Sequence, residues 1–144
     1  MKAVIICGGE IRDYQYLKKY LEDADIIIAA DSGVMHCRGF GVVPHILLGD
    51  FDSSCPGILS QISSQTQIVR FPIEKDMTDS ELAANMAIEK GADHIVFLGA
   101  IGTRTDHTLA NIFMLKKLLD KGVEAIIADE KNEIRIINKS IRLK

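Results

Sequence analysis

The sequence predicts an α/β domain, a mostly parallel sheet with helices on both faces. Three observations carry this. Short, largely apolar runs recur at residues 3–7, 26–30, 45–48 and 94–98, the first of them rich in β-branched residues. Segments with helical spacing of apolar residues separate them. Each run ends in glycine or aspartate, the composition of a turn at a strand end. Strands alternating with helices in this way build right-handed crossover units on one sheet.

Residues 3–7, Ala-Val-Ile-Ile-Cys, form a compact apolar run that suits a central parallel strand buried on both faces. Gly8-Gly9 permits a tight turn. A helix is expected over 13–22, with Tyr14, Leu17 and Leu21 on one stripe. Residues 26–30 are a second buried strand, followed by Asp31-Ser32-Gly33 and a short helix over 34–39. Residues 41–44 form a loop, and 45–48 lead into Gly49-Asp50-Phe51-Asp52-Ser53. Residues 56–64 read as a short helix opened by Pro56, and 67–71 as a strand stopped by Pro72. Thr78 and Glu81 have capping-box spacing, so a helix starts there, and Gly91 ends it. Residues 94–98 are a strand that runs into a loop over 99–107. A longer helix is expected from about Thr108 to Lys121, with Leu109, Ile112, Leu115 and Leu119 inward. Strands over 125–128 and 133–137 close the chain. The whole reads as a Rossmann-like three-layer sandwich. After Asn132 the pattern changes to polar alternation, so residues 1–132 form the α/β unit. Residues 133–144 look like the opening of a β-rich segment that is not present.

The chain has 144 residues, 47% hydrophobic and 26% charged, which suits one soluble domain with a sizeable core. Its net charge of −3 gives no basic footprint for nucleic acid. Cys7, Cys37 and Cys55 are too widely spaced for a zinc site or a disulfide framework. No stretch approaches membrane-spanning length, and the N-terminal apolar run is too short for a signal peptide. A cytoplasmic protein is expected.

The chemistry gathers at strand ends. An Asp-x-Asp pair on its own is usually a solvated turn. Here a glycine and a buried strand precede it, and an extended backbone puts Asp50 and Asp52 on one side with Phe51 on the other. Close carboxylates repel, and a hard divalent cation relieves that conflict. In open α/β sheets ligands bind beyond the carboxyl ends of strands. Gly8-Gly9, Asp31-Ser32-Gly33, residues 49–53 and residues 99–107 all fall there, and Asp76 and Asp79 follow a further strand. Asp31, Asp50, Asp52 and Asp79 together exceed what capping needs and point to one or two Mg²⁺ ions. Backbone N–H groups of the Gly99-x-x-Gly102-x-Arg104 loop, with the helix N-terminus behind it, suit a phosphate, and Arg104 adds a bidentate donor. Lys75 is either a phosphate contact or a solvated lysine. His107 beside Asp106 is either an acid–base or substrate-binding pair, or a packed histidine beside a capping aspartate. His36, His45 and His94 have no ligand spacing and read as structural or exposed. The glycines match neither a Walker A loop nor a dinucleotide fingerprint.

Gly49-Asp50-Phe51-Asp52-Ser53, Lys75-Asp76-x-Thr78-Asp79-x-Glu81 and Gly99-Ala100-x-Gly102-x-Arg104-x-Asp106-His107-x-Leu109-x-Asn111 resemble the motifs of the thiamine pyrophosphokinases. Asp31-Ser32-Gly33 resembles that family's Ala-Asp-Gly-Gly segment, with Ser32 in place of a glycine, and Thr103 stands where a glycine is often found. The resemblance implies transfer of a pyrophosphoryl group from ATP to thiamine, giving thiamine diphosphate and AMP. It implies Mg²⁺ held by Asp31, Asp50, Asp52 and Asp79, with Asp50, Asp52 and Asp79 the catalytic acids. The expected nucleotide-binding set is Gly8, Gly9, Ser32, Gly33, Ser53, Lys75, Asp76, Thr78, Gly102, Arg104, Asp106, His107 and Asn111. It also implies a homodimer whose thiamine site lies between one subunit's α/β domain and the other's C-terminal β-domain. Two other readings fit the acidic motifs: a hydroxymethyl pterin pyrophosphokinase, and a non-catalytic Mg-nucleotide-binding module.

Overall fold

The computed structural model describes residues 1–49, 62, 64–71 and 77–143. The strands are β1 (Lys2–Ile6), β2 (Ile26–Ala30), β3 (Ile46–Gly49), β4 (Gln67–Arg70), β5 (His94–Leu98), β6 (Glu124–Ala128) and β7 (Glu133–Arg135). They form one seven-stranded sheet in the order β4-β3-β2-β1-β5-β6-β7. All neighbours are parallel except β6 and β7. The helices are α1 (Tyr14–Leu17), α2 (Val34–Phe40), α3 (Asp79–Glu89) and α4 (Thr105–Asp120).

Alternation along β1 splits the core into two layers, as the two-residue period of a strand requires. Ala3, Ile5 and Cys7 face Ala83, Ala84 and Ala87 of α3 and Met114, Leu115 and Leu118 of α4. Val4 and Ile6 face Leu17 of α1, Leu21, and Val34, Cys37 and Phe40 of α2. Residues 3–6 are completely buried, as a strand covered on both faces must be. The alanines of α3 bring that helix close to the sheet. The expected three-layer α/β sandwich is therefore the fold. No helix among the described residues is long and apolar enough to cross a membrane.

Several boundaries differ from expectation. The first helix is α-helical only over Tyr14–Leu17 and tightens into a 3₁₀ turn over Lys18–Tyr20. Asp13 caps it, its carboxylate accepting from the Tyr16 N–H. Helix α4 begins at Thr105, a turn's length before Thr108, because the Asp106 carboxylate complements the helix dipole in the first turn. The last strand stops at Arg135 and pairs antiparallel with β6 across an Asp129–Asn132 turn. Asp129 accepts there from the backbone N–H groups of Lys131 and Asn132. The helix expected over 56–64 falls largely outside the described residues.

The two described cysteines lie one in each core layer. Burial pushes the Cys7 thiol up to about 11 and the Cys37 thiol up to about 12. A raised folded pKa means that the folded state keeps its proton longer than the unfolded chain. The linked stability is complete below the unfolded thiol's value, near 9, and is lost as pH rises toward 11 to 12. Urea unfolding followed from neutral to alkaline pH is expected to show a falling midpoint above about pH 9, and a smaller fall in a Cys7→Ala/Cys37→Ala double variant.

Candidate functional site

The strand order reverses direction between β1 and β5: β1 leads outward to β2, and β5 leads the other way to β6. A crevice opens at the carboxyl ends on either side of such a point. The turn after β1 crosses to the loop after β5 through three backbone bonds. The Cys7 N–H donates to the Leu98 carbonyl at 2.8 Å, Gly9 to Gly99 at 2.6 Å, and Glu10 to Ile101 at 3.2 Å. Side chains would prevent this approach. A Cβ on Gly9 would stand 2.3 Å from the Gly99 carbonyl oxygen, and one on Gly99 would stand 2.3 Å from that of Cys7. Gly99 also sits at φ 70°, where other residues are strained.

The cleft above this junction has a volume of about 560 Å³. One wall is the turn at Gly8 and Gly9. A second comprises Ala30, Asp31 and Ser32 after β2. A third is the start of α3, with Met77, Thr78, Asp79 and Ser80. The fourth runs from Gly99 through Gly102 and Arg104 into α4, where His107, Thr108 and Asn111 continue it. Both long helices thus begin at the cleft, and helix N-termini favour anions.

Asp31 is the only non-glycine residue with positive φ, 51°, among the described residues. Aspartate tolerates this conformation better than most residues, but it is still sparsely populated. Asp79 is the first residue of α3, behind Thr78, whose hydroxyl accepts from the Glu81 N–H at 3.2 Å. That is the capping geometry the Thr78–Glu81 spacing predicts. Asp31 and Asp79 line the same cleft. Among the described residues no group of three or more His, Cys, Asp and Glu is placed to hold a metal ion. Asp50, Asp52, Ser53, Lys75 and Asp76 lie outside the described residues.

Arg104 and Asp106 hold each other at the start of α4. Arg104 Nη2 donates to Asp106 Oδ2 at 2.7 Å, and Nε donates to Oδ1 at 3.3 Å. The guanidinium holds the exposed Asp106 carboxyl below its ordinary range. Asp106 is not among the cleft-lining residues, whereas Arg104 and His107 are. Asn111 is buried, and its Nδ2 donates to the Ala100 carbonyl at 2.9 Å, tethering the loop after β5 to α4. Gly102 donates its N–H to the Thr108 hydroxyl at 3.3 Å, and that hydroxyl lies 3.2 Å from the Arg104 carbonyl. Gly33 is packed where a Cβ would meet the Ile6 carbonyl oxygen at 2.0 Å.

Cys7, Met77, Ser80, Thr103 and Thr108 also line the cleft, though none is among the expected site residues. Cys7 and Ser80 touch through Sγ and Oγ at 3.3 Å, joining β1 to the first turn of α3. Their positions, each beside a predicted strand end or cap, were the available signal. His45 accepts from the Ile27 N–H, and His94 lies between Asp93 and Glu124 at the opposite edge. Both are structural or exposed as read. His36 instead touches the cleft-forming turn at Gly9.

Residues 17–127 match a family model described as thiamin pyrophosphokinase, catalytic domain. The chain is 31% identical over 138 residues to a thiamine pyrophosphokinase of Bacillus subtilis (strain 168), covering 94% of this chain and 64% of that protein. It superposes on a crystal structure of thiamine pyrophosphokinase from Bacillus subtilis with a TM-score of 0.81 and 30% identity, again over 94% of this chain and 64% of the other. It shares the fold of yeast thiamin pyrophosphokinase, with a TM-score of 0.80 and 15% identity over 96% of this chain and 61% of that one. The chain therefore spans less than two thirds of the length of these relatives.

Asp31→Gly and Asp31→Asn are expected to unfold within about 1 kcal/mol of the wild type, whereas Asp31→Val, β-branched at positive φ, loses about 1–3 kcal/mol. Urea denaturation checks this. A Gly variant as unstable as the Val variant would make Asp31 a structural residue.

Proposed function

Because the chain belongs to the thiamin pyrophosphokinase catalytic-domain family, we propose that it supplies the nucleotide-binding part of an enzyme that transfers a pyrophosphoryl group from ATP to thiamine. The observation that carries this reading is the cleft in which Asp31 and Asp79 meet Gly8, Gly9, Arg104 and the N-termini of α3 and α4. In the reaction the oxygen of thiamine's hydroxyethyl arm bonds to the β-phosphorus. The bond from that phosphorus to the α–β bridging oxygen breaks, AMP leaves with the oxygen, and the alcohol proton passes to a base. Such transfers depend on positioning and charge neutralisation more than on covalent catalysis.

The chain's own residues divide that work. The α4 N-terminus and Arg104 attract phosphate oxygens. Arg104 is paired with Asp106 in an exposed position, so a phosphate competes with a carboxylate for the same guanidinium. Asp31 and Asp79 alone would repel a triphosphate. Carboxylate oxygens beside a phosphate site are the donor set that Mg²⁺ takes, so the residues present fit that ion. Asp31 and Asp79 would hold it, together with Asp50 and Asp52, which follow β3 in the chain. When bound, the ion neutralises phosphate charge and polarises the reacting phosphorus. Asp50, Asp52 and Asp79 are the candidates to take the alcohol proton. Gly8, Gly9, Ser32, Gly33, Thr78, Gly102, His107 and Asn111 shape the nucleotide site, with Ser53, Lys75, Asp76 and Asp106 in the same assignment. The division near Asn132, the homodimer and the cytoplasmic location belong to this proposal too.

Two measurements test it. Calorimetric titration is expected to show ATP binding that needs Mg²⁺ and that an Asp50→Asn/Asp52→Asn variant loses while its melting curve is retained. Unchanged metal-dependent binding would count against the site. Incubation with Mg-ATP is expected to release AMP with thiamine as acceptor. Release with a hydroxymethyl pterin in place of thiamine would reassign the acceptor.

A further inference from the structure

The turn after β1 is fastened from a side that no site motif marks. His36, in the middle of α2, has Nε2 2.6 Å from the Gly9 carbonyl oxygen and Nδ1 2.8 Å from the Tyr14 hydroxyl. A carbonyl oxygen only accepts, so Nε2 carries the proton and donates. In the neutral ring Nδ1 is then the acceptor, and the Tyr14 hydroxyl donates to it. Tyr14 is itself pinned. It meets the buried Phe40 edge-on, with ring centroids 5.0 Å apart and an interplanar angle of 87°. It also lies over Gly39, where a Cβ would come within 2.4 Å of the Tyr14 ring. Gly39 is thus what lets Tyr14 lie against α2.

The Gly9 residue is consequently held at both polar groups. Its N–H donates to Gly99 at 2.6 Å and its carbonyl accepts from His36. Beyond it, one Glu130 carboxylate oxygen accepts from the Arg12 and Asp13 N–H groups at 2.6 and 2.9 Å. A turn of two glycines is otherwise the least constrained backbone available. An unpaired carbonyl beside a polyphosphate is also repulsive, and a bound donor offsets its charge. We propose that His36, oriented by Tyr14, is a positioning residue for the nucleotide cleft, fixing the Gly8-Gly9 turn that forms one of its walls. This rests on the nucleotide reading given above.

The test uses this chain, with calorimetric titration of Mg-ATP into the wild type, His36→Gln and His36→Asn. Glutamine places an N–H donor near the position of Nε2 and keeps the Gly9 contact. Asparagine reaches only the position of Nδ1 and loses it. His36→Gln is expected to bind within about twofold of the wild type, and His36→Asn about fivefold more weakly, the loss of one hydrogen bond's positioning. Nitrogen NMR of the wild-type ring is expected to show the proton on Nε2. Equal binding by wild type and His36→Asn, a loss in His36→Gln as large as in His36→Asn, or a proton on Nδ1 would each overturn the proposal. A wild type that binds no Mg-ATP would overturn the nucleotide reading itself, whereas normal wild-type binding with an indifferent His36→Asn would sink the positioning role alone.

Discussion

The cleft depends on the backbone junction between the turn after β1 and the loop after β5. Two central strands end side by side, and their connections leave in opposite directions. The Gly9–Gly99 bond at 2.6 Å, with the Cys7–Leu98 and Glu10–Ile101 bonds on either side, holds the two loops together at the floor of the cleft. Glycine is required because each missing side chain would overlap a carbonyl of the opposite loop. The core sets the position of this junction. β1 is buried on both faces, so neither loop can move without disturbing one of the two hydrophobic layers.

Charge at the cleft follows from the same geometry. α3 and α4 both point their positive ends at it, yet both carry acids in their first turns, Asp79 and Glu81 in one and Asp106 in the other. These acids do different things. Glu81 is drawn away by Lys117 of α4 at 3.2 Å, and Asp106 is held by Arg104. Asp79 remains among the residues lining the cleft, opposite the turn that carries Asp31. Exposed pairs such as Arg104–Asp106 contribute little to stability. Their consequence is that Asp106, held in this way, is absent from the cleft lining while Arg104 is part of it.

Most of the architecture was legible in the sequence because its signals are local. His94–Leu98 is a strand at the expected bounds, and Thr78 caps α3 as its spacing to Glu81 requires. Gly91, read as the stop of its helix, adopts positive φ just beyond the end of α3, and Gly41 and Gly122 do the same after α2 and α4. What escaped depends on partners distant in sequence. The early start of α4 goes with Asp106 at the positive end of the helix and with Thr108 bonding back to the loop, which a reading of Gly-Thr-Arg-Thr as plain loop overlooks. The contact of His36 with Gly9 spans 27 residues and has no periodicity to announce it. Asp31 and Asp79 were legible as acids at strand and helix ends. Their sharing of one cleft was legible too, because the carboxyl ends of parallel strands gather at one sheet edge.

Ser32 illustrates how a departure from a motif is absorbed. In the Ala-Asp-Gly-Gly segment that Asp31-Ser32-Gly33 resembles, the Ser32 position is a glycine, which would leave space above the first turn. Here the Ser32 hydroxyl occupies that space: a Cβ on Gly8 would stand 1.9 Å from its Oγ and 3.2 Å from its Cβ. The two positions are therefore coupled. A residue larger than glycine at position 8 needs the hydroxyl to turn away, and then meets the Ser32 Cβ, which cannot rotate. The serine thus restricts position 8 more strongly than a glycine at position 32 would, and places a hydroxyl on the cleft wall between the turn that His36 holds and the strained aspartate beside it.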